Sequence, residues 1–387
     1  MRDLKDHTRQ STIQQSTSCR IVYLIAIVCA TVSAQAQNGN TRWPADRASQ
    51  WYADQDWLVG ANFVPSTAIN QLEMFQAETF DPETIDRELG WAADIGFNTM
   101  RVYLHDLLWT QDAEGFLDRL DQYLAIADKH NIKTMFVLFD AVWDPHPKLG
   151  EQRDSKPGVH NSGWVQGPHT DILRDATRHG EVKPYVVGVL SHFTDDARVL
   201  AWDLYNEPGN KNVISYGDLE PSDKVQLCQT FLEKVFVWAR EANPSQPLTS
   251  GVWINPGGRT NPVHPLDALM LEQSDILTFH SYAPLKGATQ AVEWLQTYSR
   301  PIICTEYMAR AAGSRFETIL PYFKAQNIGA INWGLVSGKS QTIYPWGSWK
   351  KPLEKEPKVW FHDVFREDGS PFDEAETALI KSLTRRD

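Results

Sequence analysis

The chain is poor in cysteine. It has four in 387 residues, and two of them, Cys19 and Cys29, fall within the first 36. The other two, Cys228 and Cys304, are too few for a dense disulfide framework, which excludes the small stapled folds. Cys304 lies in the apolar run PIICTEY and reads as a small buried hydrophobe. CxxC, HExxH and EF-hand spacings are all missing, so no metal site is signalled. A Gly-rich first turn is missing too, which argues against a dinucleotide-binding open sheet. Neither metal nor cofactor is expected.

Positive charge is also in short supply. There are 37 Lys and Arg against 49 Asp and Glu, a net charge of −12. That balance argues against nucleic acid and anionic membrane as partners. It suits a neutral polymer such as a polysaccharide. Long apolar runs are missing as well: Ile21 to Val32 is too short for a comfortable membrane span. With Arg20 before it and Ala34 and Ala36 after it, this run has the three-part pattern of a cleavable secretory signal over residues 1–36. The expected mature chain starts at Gln37, has no stable membrane span, and is periplasmic or secreted. Residues 37–50 read as a polar lead-in, and 51–387 as one domain.

Aromatic residues are abundant: 15 Trp, 12 Tyr and 16 Phe. Part of that is core, because aromatic rings carry large buried areas. Flat indoles also suit the C–H faces of sugar rings. Short apolar runs recur eight times, at residues 57–64, 97–104, 132–139, 199–206, 247–253, 275–282, 301–307 and 329–336. Several are apolar almost throughout, as parallel strands covered on both faces are. Helical segments separate most of them. In one, Asp81 is placed as N-cap, Pro82 at the first helical position, Ile85, Leu89 and Ala92 on one face, and Gly96 at the end. Leu117, Leu120, Leu124 and Ala127 repeat the helical period, and Asp373 and Glu376 have capping-box spacing. Eight strand–helix alternations in one chain predict a single-domain (β/α)8 TIM barrel. The rival, a doubly wound sheet, would want fewer strands. The longest stretch without a strand, Ala141 to about Thr170, is rich in Pro, Gly, His and Trp and is expected to wall the mouth.

Barrel enzymes place their chemistry at the carboxyl ends of strands. Glu207 follows the fourth apolar run, in LYNEPGN, and Glu306 ends the seventh, in CTEY. Strands four and seven sit on roughly opposite sides of a barrel mouth, so two carboxyl groups there can face each other across a substrate. Glycoside hydrolysis needs such a pair, one to protonate the leaving oxygen and one to attack the anomeric carbon or activate water. Asn-Glu-Pro-Gly can also be a plain strand-ending turn.

LYNEPGN followed by TEY resembles the clan A glycoside hydrolases, the cellulase-like family 5 and its relatives, over nearly all of the mature chain. The resemblance implies a retaining β-glycosidase acting on a β-linked glucan- or mannan-type carbohydrate, with Glu207 as acid/base and Glu306 as nucleophile. It implies that Asn206 binds the sugar 2-hydroxyl, that Arg101 ends strand two beneath Glu306 and keeps it ionised, and that Tyr282 donates a hydrogen bond to it. His280 would polarise the acid/base region, and Trp333 would be the floor for the sugar. Where relatives often carry a His after strand three, this chain has Asp140 and Trp143. Both become candidate substrate contacts, and His146, His160 and His169 in the next loop are possible substitutes for the His. Trp109, Trp164, Trp253 and Trp346 are further candidate walls, with core packing as the alternative for each. After strand eight, Lys339 and Gln341 either touch substrate or are solvated. Three competing functions stay open: a carbohydrate-binding barrel without catalysis, a transglycosidase, and a metal-dependent barrel hydrolase.

Overall fold

The computed structural model describes residues 41–254 and 263–385. The secretory signal expected over 1–36, and residues 37–40, lie outside the described residues. All eight apolar runs contain parallel strands: β1 Val59–Asn62, β2 Thr99–Tyr103, β3 Lys133–Val137, β4 Val199–Asp203, β5 Leu248–Thr249, β6 Leu277–His280, β7 Ile302–Glu306 and β8 Gly329–Trp333. They run β5-β4-β3-β2-β1-β8-β7-β6 in one sheet. A parallel bridge between Val252 and Phe279 joins β5 to β6. The fold is a (β/α)8 TIM barrel. Almost every strand residue is buried, because strand interiors meet the barrel core and outer faces meet the helices.

The helices follow the sequence cues. Asp81 caps Pro82–Asp94 by accepting from the Thr84 N–H, and Ile85, Leu89 and Ala92 are buried. Gly96 takes φ 89°, the left-handed conformation that ends such a helix. At the last helix, Glu374–Thr384, Asp373 caps as expected. Glu376 does not complete a capping box. It pairs with Arg310 at 2.6 Å, where a buried guanidinium outcompetes a backbone N–H.

The polar lead-in expected over 37–50 needs correction. Residues 45–53 form a helix, and Trp43, Ala48 and Tyr52 are buried against Leu58, Met135, Leu200, Ile276, Ile303 and Ile331 at the amino ends of the strands. Trp43 N–H donates to Asp275 at 2.7 Å, and Tyr52 donates to the Asn327 carbonyl at 3.0 Å. The segment plugs the closed end of the barrel. Its polar residues face outward and its few apolar ones inward, a pattern that reads as polar on average.

At the open end, a buried cluster joins the loops after β3 and β4. Lys224 Nζ donates to Glu220 at 2.7 Å, to Gln166 at 3.0 Å and to the Ala141 carbonyl at 2.8 Å. Glu220 also accepts from Gln166 and Asn212, both at 2.6 Å. Gln166 then donates to the Trp143 carbonyl, and Asn212 accepts from the Trp143 N–H. Trp143 is thereby held at φ 73°, a left-handed conformation that a bulky residue adopts only under constraint.

Candidate active site

Arg101 organises the floor of the mouth. It lies inside β2 rather than at its end, and it is fully buried. Its Nε and Nη2 donate to Asp203 on β4 at 3.0 and 2.8 Å. Its Nη1 donates to Asn62 on β1 at 2.8 Å and to Glu306 on β7 at 2.9 Å, and its Nη2 to Asn206 at 2.8 Å. One rigid fork thus fixes four groups from three strands: Asn62 on β1, Asp203 and Asn206 on β4 and just past it, and Glu306 on β7. Burial alone would lower its pKa, but the oxygens of Tyr103, Asp203 and Glu306 raise it further, and it stays a cation.

Glu306 ends β7 and is nearly buried. Oε1 accepts from Arg101 and, at 2.8 Å, from the Tyr103 hydroxyl, while Oε2 accepts from the Tyr282 hydroxyl at 2.7 Å. Burial pushes its pKa up, yet the charges of His280 and Arg101 and the two tyrosine hydrogen bonds outweigh that and hold it below the ordinary carboxylate value. Glu207 stands four residues past β4, at φ 42°. Its Oε1 is 2.8 Å from His280 Nδ1, and its Oε2 accepts from Asn210 at 2.7 Å. His280 Nδ1 is also 3.5 Å from Glu306 Oε2. One oxygen of each glutamate and one nitrogen of His280 all lie within 4.8 Å of one another. That trio could ligate a cation, but both glutamates already have cationic or hydrogen-bonding partners.

Asp140 extends this floor just past the carboxyl end of β3. It accepts from Asn206 Nδ2 at 2.9 Å, from Trp164 Nε1 at 2.6 Å and from the Val142 N–H at 3.0 Å. Burial drives its pKa up to about 7 despite these donors. Asn206 is held on both sides, by Asp140 and Arg101, so its amide has one orientation. Above the floor opens a cavity of about 310 Å³, whose lining includes Asp140, Trp143, Asn206, Glu207, Tyr282, Glu306 and Trp333. Trp333 packs edge-on against Tyr103 and Trp164.

Seven of the nine site residues picked from sequence line the cavity. Arg101 lies beneath it, and His280 bridges the glutamates from below. Trp164, Trp253, Trp346 and His160 also line it. Trp109 does not; it packs against Gly188 on the helix Lys183–His192. His146 and His169 contact each other instead. Lys339 pairs with Glu73, and Gln341 bonds Gly158 and Lys156, so neither reaches the cavity. Tyr103, Asp203, Asn62 and His362 were missed. Asp203 carried a signal: a lone carboxylate inside a buried run requires a buried cation.

Eight parallel strands with two carboxylates facing each other over the carboxyl end place the chain among the barrel proteins whose sites sit at that end. It belongs to glycosyl hydrolase family 5, since the family Cellulase (glycosyl hydrolase family 5) matches residues 66–339, over two thirds of the chain. Curated relatives include the probable mannan endo-1,4-beta-mannosidase A of Aspergillus clavatus, 28% identical over 92 residues, 24% of this chain and 23% of the relative. Another is the A-1 form of Aspergillus terreus, 30% identical over 96 residues, 25% of this chain and 22% of the relative. These matches span under a quarter of the length of those relatives. Among solved structures, the endo-beta-1,4-mannanase of Thermotoga petrophila superposes with a TM-score of 0.53 at 15% identity, over 86% of this chain and 77% of that one. The exo-beta-1,4-mannosidase Op5Man5 of Opitutaceae bacterium strain TAV5 gives 0.54 at 17%, over 84% and 59%. At these identities the structural likeness establishes the fold.

Proposed function

We propose that this chain is a retaining glycoside hydrolase that cleaves β-linked glycans of the mannan or glucan type. The carrying observation is the closeness of the two glutamates, whose nearest atoms with His280 fall within 4.8 Å. Retaining enzymes hold their carboxyls about 5–5.5 Å apart, whereas inverting ones need about 6.5–9.5 Å to admit a water.

In this reading Glu306, kept ionised, attacks the anomeric carbon while Glu207 gives its proton to the leaving oxygen. Glu207 then takes a proton from water as that water displaces Glu306. Tyr103, Tyr282 and Arg101 fix both oxygens of the nucleophile. Asn206 presents its amide to the 2-hydroxyl, and Trp333 gives a flat apolar face to the ring. The mannanase relatives favour a mannan-type substrate. The signal pattern over 1–36 supports export, and amino-terminal sequencing of the secreted chain tests it.

The function is tested with wild type and Glu306→Gln on a panel of β-linked polysaccharides and aryl β-glycosides. A 2-deoxy-2-fluoro glycoside with a good leaving group should add one glycosyl mass to the peptide bearing Glu306. Turnover with inverted product and no adduct would sink retention. Binding without turnover would point to a non-catalytic barrel, and chain growth to a transglycosidase.

A further inference from the structure

Two histidines of the cavity lining each keep one nitrogen without a protein partner. His160 comes from the loop after β3 and His362 from the loop after β8. Their side chains are almost wholly buried, with exposures of 2% and 1%. The ring centres are 5.4 Å apart. His160 Nδ1 lies 2.8 Å from the Tyr344 carbonyl oxygen, and His362 Nδ1 lies 2.5 Å from that of Met308. A carbonyl can only accept, so each Nδ1 carries a proton. In a neutral ring Nε2 is then a bare acceptor. Burial keeps the rings neutral. It pushes the His160 pKa down to about 4, and together with the nearby charges of His160 and Arg310 it holds His362 well below its ordinary value.

Among the described residues, nothing hydrogen-bonds either Nε2. Neither atom is sealed off, as the unpartnered Nε2 of His280 is. Buried polar nitrogens nearly always find a partner. Here the partner has to come from the cavity, and it has to be a donor. Both rings are set in place beforehand. His160 N–H donates to Ser348 Oγ at 2.9 Å, and the Arg310 guanidinium donates to the carbonyls of Trp360, His362 and Asp363. Acceptors fixed in advance cost less ordering when a ligand binds. The His362 ring is 5.6 Å from that of Tyr282, whose hydroxyl donates to Glu306. The pair therefore borders the place of the sugar that Glu306 attacks.

We infer that His160 and His362 are substrate-reading residues, each accepting a hydroxyl proton through its bare Nε2 from the sugar seated over Glu306. This rests on the hydrolase reading above. A free sugar hydroxyl has a proton to give. An ether oxygen or a carboxylate offers only lone pairs and finds no donor in these two rings.

The test uses Glu306→Gln with nitrogen-15-labelled histidine, titrated with β-1,4-mannotetraose and with cellotetraose while the ring nitrogens are followed by NMR. In the free protein both rings should show a protonated Nδ1 and a bare Nε2. On binding, both Nε2 signals should move toward the protonated value while the Nδ1 signals stay in place. His160→Asn and His362→Asn, made in the same background, assign the signals. Asn keeps an N–H near the Nδ1 position for the carbonyl and removes the Nε2 acceptor. Each should weaken glycan binding about tenfold, the worth of one hydrogen bond left unmade. Binding that leaves either Nε2 signal unmoved, or a free protein with a bare Nδ1, overturns the inference while leaving the hydrolase reading intact. No binding here and no turnover by the wild type on any β-linked glycan overturns both. If an Asn variant does not fold, a crystal structure of the Glu306→Gln complex decides. Sugar hydroxyls within hydrogen-bond distance of both Nε2 atoms support the inference, and waters kept there in their place overturn it.

Discussion

Arg101 meets a single oxygen of Asp203, Oδ2, through both Nε and Nη2, at 3.0 and 2.8 Å, in a pocket closed to solvent. The pair keeps the guanidinium plane aimed at Glu306. Asp203→Asn removes the balancing charge and lets the fork tilt. Breaking a buried pair of this kind costs about 3–5 kcal/mol. Thermal unfolding should show a clear loss, and kcat should fall more than KM rises. A change confined to KM would show that Asp203 is not aligning the nucleophile through Arg101.

His280 is the leading charge that lowers the pKa of Glu306. His280→Gln keeps a polar side chain and removes that charge. The acid limb of kcat/KM should move to higher pH, and kcat should fall about 10²-fold, the range for a displaced proton-transfer group. The sign for stability is fixed as well. A depressed carboxyl contributes stability above its unfolded pKa, about 4.3, and loses it as pH falls through the lower folded value. Acid unfolding of His280→Gln should therefore begin at higher pH than that of the wild type.

Asp140 behaves in the opposite sense. With its pKa near 7 it changes charge in the ordinary assay range. Ionised, it accepts strongly from Asn206, Trp164 and Val142 together; protonated, it accepts more weakly and its hold on Asn206 loosens. KM for a glycan should rise as pH drops below about 7, and in Asp140→Asn it should be flat there. The raised value also means that stability is present below the unfolded pKa, about 3.9, and declines as pH rises to about 7. KM and melting temperature of the two proteins, each followed across that window, measure the two effects. Parallel curves would remove Asp140 from the account.

Lys224 and Glu220 are both almost completely buried. Lys224→Met leaves Glu220 buried without its cation, a loss of about 3–5 kcal/mol if the charge stays. Because the pair also holds Asn212 and Gln166 on the Trp143 backbone, KM should rise with the fall in melting temperature. A melting loss with unchanged KM would separate the cluster from the cavity wall.

The barrel was legible because its strands are buried on both faces. That produces continuous apolar runs which no half-exposed sheet would need. The runs overshoot the strands at their carboxyl ends: residues 199–206 read as one run, but β4 stops at Asp203. The extra residues are buried by the mouth rather than by pairing, and burial is what the run reports. Glu207 and Glu306 were visible as charges abutting such runs. Tyr103 was not, because a tyrosine inside an apolar run looks like core until its hydroxyl is seen on Glu306. His362 was not, since it comes from a late loop, and periodicity says nothing about which loop returns to the mouth. The lead-in was misjudged because Trp43, Ala48 and Tyr52 are too few to outweigh their polar neighbours.

That same segment sets the order in which the molecule can be finished. Trp43 and the helix Ala45–Ala53 rest on Asp275, Ile303, Asn327 and Ile331, surfaces made more than two hundred residues later in the chain. The earliest part of the barrel to be synthesised has no home until nearly the last strand arrives. Such distant pairings slow folding, because their closure entropy comes before their reward. The plug is thus a completion seal: a chain truncated before β8 would display an indole, a tyrosine and the open underside of the barrel together.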